Sequence, residues 1–213
     1  MFIYRIVPLL LCVLCVKTIQ KQKNMQLKIS SITNLTDARF FSAIGANYLG
    51  FCFDVLNENN ISISKAREIT NWLHEPVIVG EFGIHQTKEE IQFIAEEMNL
   101  SEIQIPFLHT AKDELNFDKF LVTDNFMSIV NIQTSTDYFV IKIKESEIEN
   151  QGLKNFISNN KVFIEADFTK NNIAKITETL NPFGIQITCK KEEKAGFSFV
   201  DEYAEILEVI GFS

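Results

Sequence analysis

Short β-rich runs alternate with amphipathic helical stretches along the chain from Met25 to its C-terminus. This alternation is typical of βαβ units and of a parallel sheet. It predicts strands at Gln26–Ser31, Asn47–Phe53, Val77–Phe82, Glu102–Ile105, Tyr138–Ile143, Lys161–Asp167 and Gly184–Cys189. It predicts helices near Thr36–Ile44, Ser64–Leu73, Thr87–Met98, Leu153–Ser158, Asn171–Leu180 and Phe199–Ile210.

Helix-capping signals agree with these boundaries. Ser64 can cap the second helix, and Thr87 with Glu90 forms a capping-box pattern before an apolar run. Gly45 and Gly211 stand just beyond predicted helix ends, where a left-handed residue often terminates a helix. The local signals therefore support the same elements as the apolar pattern.

The pattern is weakest between Pro106 and Asp137. Two runs, Phe120–Val122 and Phe126–Ile132, compete to be the fifth strand. The remaining chain is too short for two full helices, so we predict that one helix in this region is short or missing.

The segment 25–213 is predicted to form one α/β domain, because no Gly-, Ser- or Pro-rich linker interrupts it. Seven or eight βα units can close into a barrel or form an open doubly wound sheet, and periodicity does not distinguish these folds. The choice between them has to come from the order of the motifs.

Residues 1–24 form a separate leader. Arg5 and the apolar run Ile6–Val16 imitate a secretion signal, but no small-residue cleavage site follows. The run is also much shorter than the roughly 20 residues that span a bilayer. We therefore expect translation to start at Met25, with a functional signal as the alternative, and we predict a cytoplasmic protein without membrane association.

Composition excludes several classes of function. The net charge of −8 argues against nucleic-acid binding, because a phosphate backbone attracts clustered Lys and Arg. Three scattered histidines do not match a metal site, and the four cysteines, two in the leader and two far apart in predicted strands, match neither a zinc spacing nor a disulfide framework. We therefore predict no metal and no cofactor. The sequence gives no prediction of the oligomeric state.

A colinear set of motifs resembles the phosphoribosylanthranilate isomerase family. The set begins with Lys28-Ile29-Ser30-Ser31-Ile32-Thr33 and Gly45-Ala46-Asn47-Tyr48-Leu49-Gly50-Phe51, and it continues with Val79-Gly80-Glu81-Phe82, Leu100–Gln104 and Pro182–Ile187. The resemblance implies a (β/α)8 TIM barrel. It also implies the family reaction, an Amadori isomerisation of an aminoaldose phosphate in tryptophan biosynthesis.

The resemblance places the family's catalytic residues at two substituted positions. Ser30 stands where the family has its general-base cysteine, and Lys142 stands where it has its general-acid aspartate. A serine hydroxyl is a very poor proton acceptor near neutral pH, whereas a cysteine titrating near 8.5 can be tuned to serve. The base is therefore lost, and the acid role would require a lysine with a lowered pKa.

The family's phosphate site is also substituted. Ala166-Asp167 replaces a Gly-Gly pair after strand seven, and Cys189-Lys190 replaces Ser-Gly after strand eight. A carboxylate then stands where backbone N–H groups should meet a dianion. These substitutions argue against phosphosugar binding and leave a different small-molecule ligand open.

Three further side chains are binding candidates: Glu81, Gln104 and Glu165. Glu81 replaces a family valine and is either a new pocket carboxylate or the partner of Lys142 across the barrel. Glu165 neighbours Lys142 and is predicted to form an ion pair with it, although a lysine at a strand end can also form a Schiff base.

Three hypotheses of function follow. In the first, this is a non-catalytic relative of the isomerases that binds a partner or an altered ligand. In the second, residual isomerase activity survives in a remodelled site. In the third, Lys142 serves a Schiff-base lyase.

Overall fold

The computed structural model describes residues 25–130, 138–189 and 200–212. Eight parallel strands, numbered in chain order, pair with their sequence neighbours, and the last pairs with the first to close the barrel. They are β1 Gln26–Ser30, β2 Tyr48–Cys52, β3 Val77–Glu81, β4 Glu102–Pro106, β5 Asp118–Thr123, β6 Tyr138–Lys142, β7 Val162–Glu165 and β8 Gly184–Thr188. The predicted TIM barrel is confirmed, and the open sheet is excluded.

Six α-helices are described outside the barrel. They are α1 Leu35–Ala43, α2 Ile63–Thr70, α3 Lys88–Met98, α4 Gln151–Asn159, α5 Ile173–Leu180 and α6 Val200–Glu208. Thr87 and Glu90 form the predicted capping box of α3. Ser62, rather than Ser64, caps α2, because its hydroxyl accepts a hydrogen bond from the Lys65 N–H.

The region after β4 departs most from regular barrel architecture. Phe120–Val122 belongs to β5, which decides the competition for the fifth strand. Phe126–Ser128 is instead a 3-10 turn, and residues 131–137 of the competing region lie outside the described ranges. No helix joins β4 to β5 across the described residues 107–117, in agreement with the predicted missing helix.

Two apolar layers hold the barrel together. Outward-facing strand residues such as Leu27, Leu49 and Ile164 pack under the helices. Inside the barrel, an aromatic floor forms at the N-terminal ends of the strands from Tyr48, Val79, Phe120, Val140 and Phe163. The rings of Phe120 and Tyr138 stack at 4.7 Å, and burial of each phenylalanine contributes about 1.5–3 kcal/mol. This floor fills the N-terminal part of the barrel interior.

No described helix is long and apolar enough to cross a membrane. Within the described ranges, no group of three or more His, Cys, Asp or Glu is arranged to hold a metal ion.

Candidate functional site

The barrel brings most of the predicted site residues to one end. Ser30, Glu81, Lys142 and Glu165 are the last residues of β1, β3, β6 and β7. Gln104 faces the interior from β4, and Ala166, Asp167 and Cys189 follow β7 and β8 directly. Lys190 lies outside the described residues. In barrels of this kind the C-terminal end of the strands is the position of the active site.

A first group of polar side chains, the buried cluster, consists of Lys28, Ser30, Ser31 and Glu81. The ammonium of Lys28 donates to Glu81 Oε1 at 2.7 Å, and its side chain is 0% exposed. Ser30 Oγ donates to Glu81 Oε2 at 2.9 Å, and the Ser31 N–H donates to the same oxygen at 3.0 Å. Both carboxylate oxygens of Glu81 are therefore engaged inside the protein. The structure pairs Glu81 with Lys28, so the alternative that paired it with Lys142 is wrong.

The backbone at Ser31 is strained to fit this cluster. Ser31 has φ +61°, in the left-handed region that costs a residue with a Cβ roughly 1–2 kcal/mol. The conformation turns its N–H and hydroxyl toward Glu81. The carboxylate thus stabilises a sharp turn at the mouth of β1.

Gly50 on the neighbouring strand β2 makes room for the carboxylate. A Cβ built on Gly50 would lie 2.0 Å from Glu81 Oε1. Since any side chain there would displace Glu81, the glycine is required by a close approach within the barrel.

A second group, the open cluster, consists of Lys142, Glu165, Gln186 and Thr188. Glu165 Oε1 lies 3.4 Å from the Lys142 ammonium, which confirms the predicted ion pair. Gln186 Nε2 donates to Glu165 Oε2 at 2.8 Å, and Thr188 Oγ1 donates to Glu165 Oε1 at 2.9 Å. The Lys142 side chain is 51% exposed and that of Glu165 is 14% exposed, so this cluster reaches the solvent through Lys142 while Gln186 stays buried.

Neither cysteine at the mouth replaces the missing general base. Burial, with smaller contributions from the Glu81 and Asp54 carboxylates, raises the pKa of the Cys52 thiol to about 11, although a hydrogen bond with the Asp54 backbone opposes the rise. Burial also raises the pKa of Cys189 well above its usual range, with Asp37 and Glu81 adding to the effect. Both thiols are therefore protonated near neutral pH.

The loop after β7 presents a carboxylate where the family resemblance expects glycines. Asp167 is exposed, and its carbonyl accepts a hydrogen bond from Asn172 Nδ2 at 3.0 Å. Cys189 is buried, and its N–H donates to the Ser30 carbonyl at 2.9 Å. The Cys189 amide is therefore already used in the barrel and is not directed toward a ligand.

Inside the barrel, several polar side chains have an oxygen without a hydrogen-bond partner. The unpartnered atoms of inward-facing strand residues are Glu102 Oε2, Gln104 Oε1 and Gln186 Oε1. Burial and the Asp118 carboxylate on the adjacent strand raise the pKa of Glu102 to about 7, against the opposing effect of Lys28. Three buried oxygens of the described barrel interior therefore lack a hydrogen-bond partner.

Sequence reasoning missed Lys28, Ser31, Gln186 and Thr188 as site residues. A usable signal exists in strand alternation, because Lys28 lies two residues before Ser30 and therefore shares its inward face. Gln186 and Thr188 alternate in the same way along β8. A lysine at an inward position of a buried strand is unusual, and it predicts a carboxylate partner inside the barrel.

Comparison with known proteins agrees with the fold and with the motifs. The chain is 26% identical over 181 residues to the N-(5'-phosphoribosyl)anthranilate isomerase of Chlamydia felis, a match covering 76% of this chain and 85% of the relative. It is 21% identical over 208 residues to the isomerase of the same name from Sulfurihydrogenibium, covering 87% of this chain and 98% of the relative. No family model matches the chain.

A solved structure shares the architecture. The phosphoribosylanthranilate isomerase of Thermotoga maritima superposes with a TM-score of 0.70 at 20% identity, covering 87% of this chain and 98% of that one. The structural match supports the barrel fold, and the two sequence relatives confirm the resemblance that the motifs predict.

Proposed function

We propose that this diverged relative of the phosphoribosylanthranilate isomerases does not catalyse the Amadori isomerisation, and that its barrel mouth binds a small molecule without a phosphate dianion. The observation that carries the proposal is the hydrogen bond from Ser30 Oγ to Glu81 Oε2 at 2.9 Å. It places the hydroxyl at the family's base position as a donor to a buried carboxylate.

The base step of the family reaction has no group to perform it at this position. A general base must hold a free lone pair of suitable basicity within reach of the substrate proton. Ser30 is only weakly basic, and Glu81 behind it already accepts from Lys28, Ser30 and the Ser31 N–H. Both oxygens of this carboxylate are engaged inside the protein, so neither is directed at a substrate proton.

The acid position is occupied by a cation in an ion pair. The Lys142 ammonium faces Glu165 at 3.4 Å, and Glu165 is also held by Gln186 and Thr188. The ammonium is therefore engaged by a carboxylate. A Schiff-base lyase would need the Lys142 amine free to attack a carbonyl carbon. Borohydride reduction with a simple aldehyde such as pentanal should therefore modify Lys142 no more than Lys175, which is similarly exposed and also pairs with a glutamate.

An isomerase assay of the full chain tests the lost reaction. Purified protein is incubated with N-(5'-phosphoribosyl)anthranilate, and the Thermotoga maritima isomerase serves as the positive control. We expect conversion no faster than the uncatalysed background. Turnover that scales with protein concentration and disappears in Ser30→Ala would establish residual isomerase activity and overturn the proposal.

Calorimetric titration with ribose 5-phosphate tests the altered ligand preference. A carboxylate about 4 Å from a phosphate costs on the order of 4 kcal/mol per charge pair at an effective dielectric of 20, and solvent screening of the exposed Asp167 reduces this. We expect millimolar affinity or weaker for the unmodified protein, and roughly tenfold tighter binding for Ala166→Gly with Asp167→Gly.

Asp113→Gly is the matched control, because it removes the same charge from the β4–β5 loop, where the side chain is 83% exposed. Improvement in this variant as well would indicate a general effect of net charge. Micromolar binding of ribose 5-phosphate to the unmodified protein would contradict the proposed loss of phosphate recognition.

A further inference from the structure

The hydrogen-bond directions at the mouth of the barrel indicate a ligand class, and this inference rests on the proposed binding function. Ser30 Oγ donates its proton to Glu81, and Thr188 Oγ1 donates its proton to Glu165. A hydroxyl has one proton and two lone pairs. With the proton committed to a carboxylate, each hydroxyl has only acceptor capacity to offer a ligand.

The two hydroxyls belong to adjacent strands. Ser30 and Thr188 are register partners between β1 and β8, and the alternation of both strands directs them to the barrel interior. Thr188 is partly exposed, whereas Ser30 is buried beside it. Their oxygens therefore form a pair of acceptors on neighbouring strands, and Thr188 is the member of the pair in contact with solvent.

A third acceptor belongs to the next inward position of β8. Gln186 is 1% exposed, its Nε2 donates to Glu165, and its Oε1 has no hydrogen-bond partner. The bond to Glu165 fixes the amide orientation, because only the NH₂ group can donate to a carboxylate. A buried amide oxygen without a donor is costly, and a ligand that supplies a donor would remove that cost.

The charges around these acceptors balance. Lys28 is paired with Glu81, and Lys142 is paired with Glu165, so each of these described lysines already faces a carboxylate. A charged ligand of either sign would have to compete with an ion pair already in place. The preference for a donor therefore comes from the acceptor oxygens of Ser30, Thr188 and Gln186.

We propose that the barrel mouth binds a small molecule carrying a protonated amine, whose N–H groups donate to Thr188 Oγ1, to Gln186 Oε1 and to Ser30 Oγ. Recognition of this kind reverses the polarity of a phosphate site, which presents donors to an anion. These contacts recognise the amine by its N–H donors and its charge. They specify the amine group of the ligand and no other part of it.

Three probes of matched chain length test the proposal on the full protein: n-butylammonium, n-butyrate and n-butyl phosphate. Binding is followed by ¹⁵N–¹H NMR of the Gln186 side-chain amide and the Ser30, Ser31 and Thr188 backbone amides. We expect saturable shifts with n-butylammonium at millimolar concentrations and no saturable shifts with either anion. Millimolar affinity is reasonable for a probe of this size.

Thr188→Val removes the accessible acceptor while keeping the side-chain shape, and it should weaken n-butylammonium binding about tenfold, because a hydrogen bond to a charged group is lost. Ser158→Ala on α4, whose hydroxyl donates to the Asn155 carbonyl on the exposed helix surface, is the control and should bind unchanged. The comparison of probes on the unmodified protein does not depend on either variant folding.

Saturable binding of n-butyl phosphate or n-butyrate at these amides would overturn the inference, and so would the absence of any response to n-butylammonium. The isomerase assay on the same sample separates this failure from that of the proposed function. An inactive protein that binds an anion contradicts only the ligand class, whereas an active isomerase contradicts the proposed function itself.

Discussion

The buried cluster around Glu81 and the open cluster around Glu165 place the same chemical groups in different surroundings. Each has a carboxylate at a strand end, one lysine and at least one donating hydroxyl. The Lys28–Glu81 pair is enclosed at 2.7 Å, while the Lys142–Glu165 pair is at 3.4 Å with a half-exposed lysine. Burial makes the first pair strongly interdependent, because each ion would be left unpaired in a medium of low dielectric without the other. The second pair is partly solvated and interacts weakly.

This difference separates the structural role of one carboxylate from the proposed binding role of the other. Glu81 holds Lys28, the left-handed turn at Ser31 and the hydroxyl of Ser30 in a fixed arrangement. Glu165 orients Gln186, which is buried, and Thr188, which is partly exposed. We therefore expect substitutions in the buried cluster to change the free energy of unfolding and those in the open cluster to change ligand binding.

The largest expected effect is that of Glu81→Gln. The variant leaves the Lys28 ammonium buried without a counter-charge, and breaking a buried pair in this way typically costs about 3–5 kcal/mol. Urea unfolding at neutral pH measures the loss. A cost below about 1 kcal/mol would mean that water reaches Lys28 and that the two clusters do not differ in burial as described.

The next effect is that of Gly50→Ala. The new Cβ would lie 2.0 Å from Glu81 Oε1, so the carboxylate has to move and loses hydrogen bonds within the buried cluster. We expect a cost of about 2–3 kcal/mol, comparable to overpacking in a core. A double-mutant cycle with Glu81→Ala measures the coupling, which should remove most of this cost. Additive effects of the two substitutions would show that Gly50 is required for another reason.

Glu102→Gln tests the desolvation of the barrel interior beneath the buried cluster. The folded pKa of Glu102 is raised to about 7, mainly by burial, from its ordinary value of 4.5. The folded state then holds the Glu102 proton more tightly than the unfolded state. Protonated Glu102 therefore adds to the free energy of unfolding below pH 4.5, and this contribution is lost as the pH rises to about 7. Because solvent partly screens this carboxyl, we expect the free energy of unfolding to fall by only about 1–2 kcal/mol over this range.

The glutamine variant does not titrate and should lack this loss. Its stability relative to the unmodified protein should therefore rise by the same amount between pH 4 and pH 8, as measured by urea unfolding across that range. Parallel pH profiles for the two proteins would indicate that Glu102 is solvated.

The sequence predicted much of the element order, because the apolar blocks and capping signals are local, whereas the closed barrel followed from the family resemblance of its motifs. Leu49 and Phe51, for example, lie in a strand that is buried on both faces, as the run predicts. The Lys142–Glu165 pair was also predictable, since neighbouring strands bring their ends together. The partner of Glu81 was not predicted, because Lys28 reaches it across the barrel interior rather than along a register pair. The cap of α2 was misplaced by two residues, since Ser62 and Ser64 are equivalent as sequence signals.

The smallest expected effect belongs to the open cluster and completes the contrast with Glu81→Gln. Glu165→Gln and Lys142→Met each remove one charge from a pair that solvent already screens, and exposed pairs are typically worth about 0.2–1 kcal/mol. Glutamine at position 165 also keeps an oxygen that can accept from Gln186 or Thr188.

A double-mutant cycle by urea unfolding should therefore give a coupling below about 1 kcal/mol. Because the attraction is screened, the coupling should also shrink as salt is raised from about 0.1 M to 1 M. A coupling above about 2 kcal/mol that resists salt would mean that the open cluster is desolvated in solution, and the functional distinction between the two carboxylates would then fail.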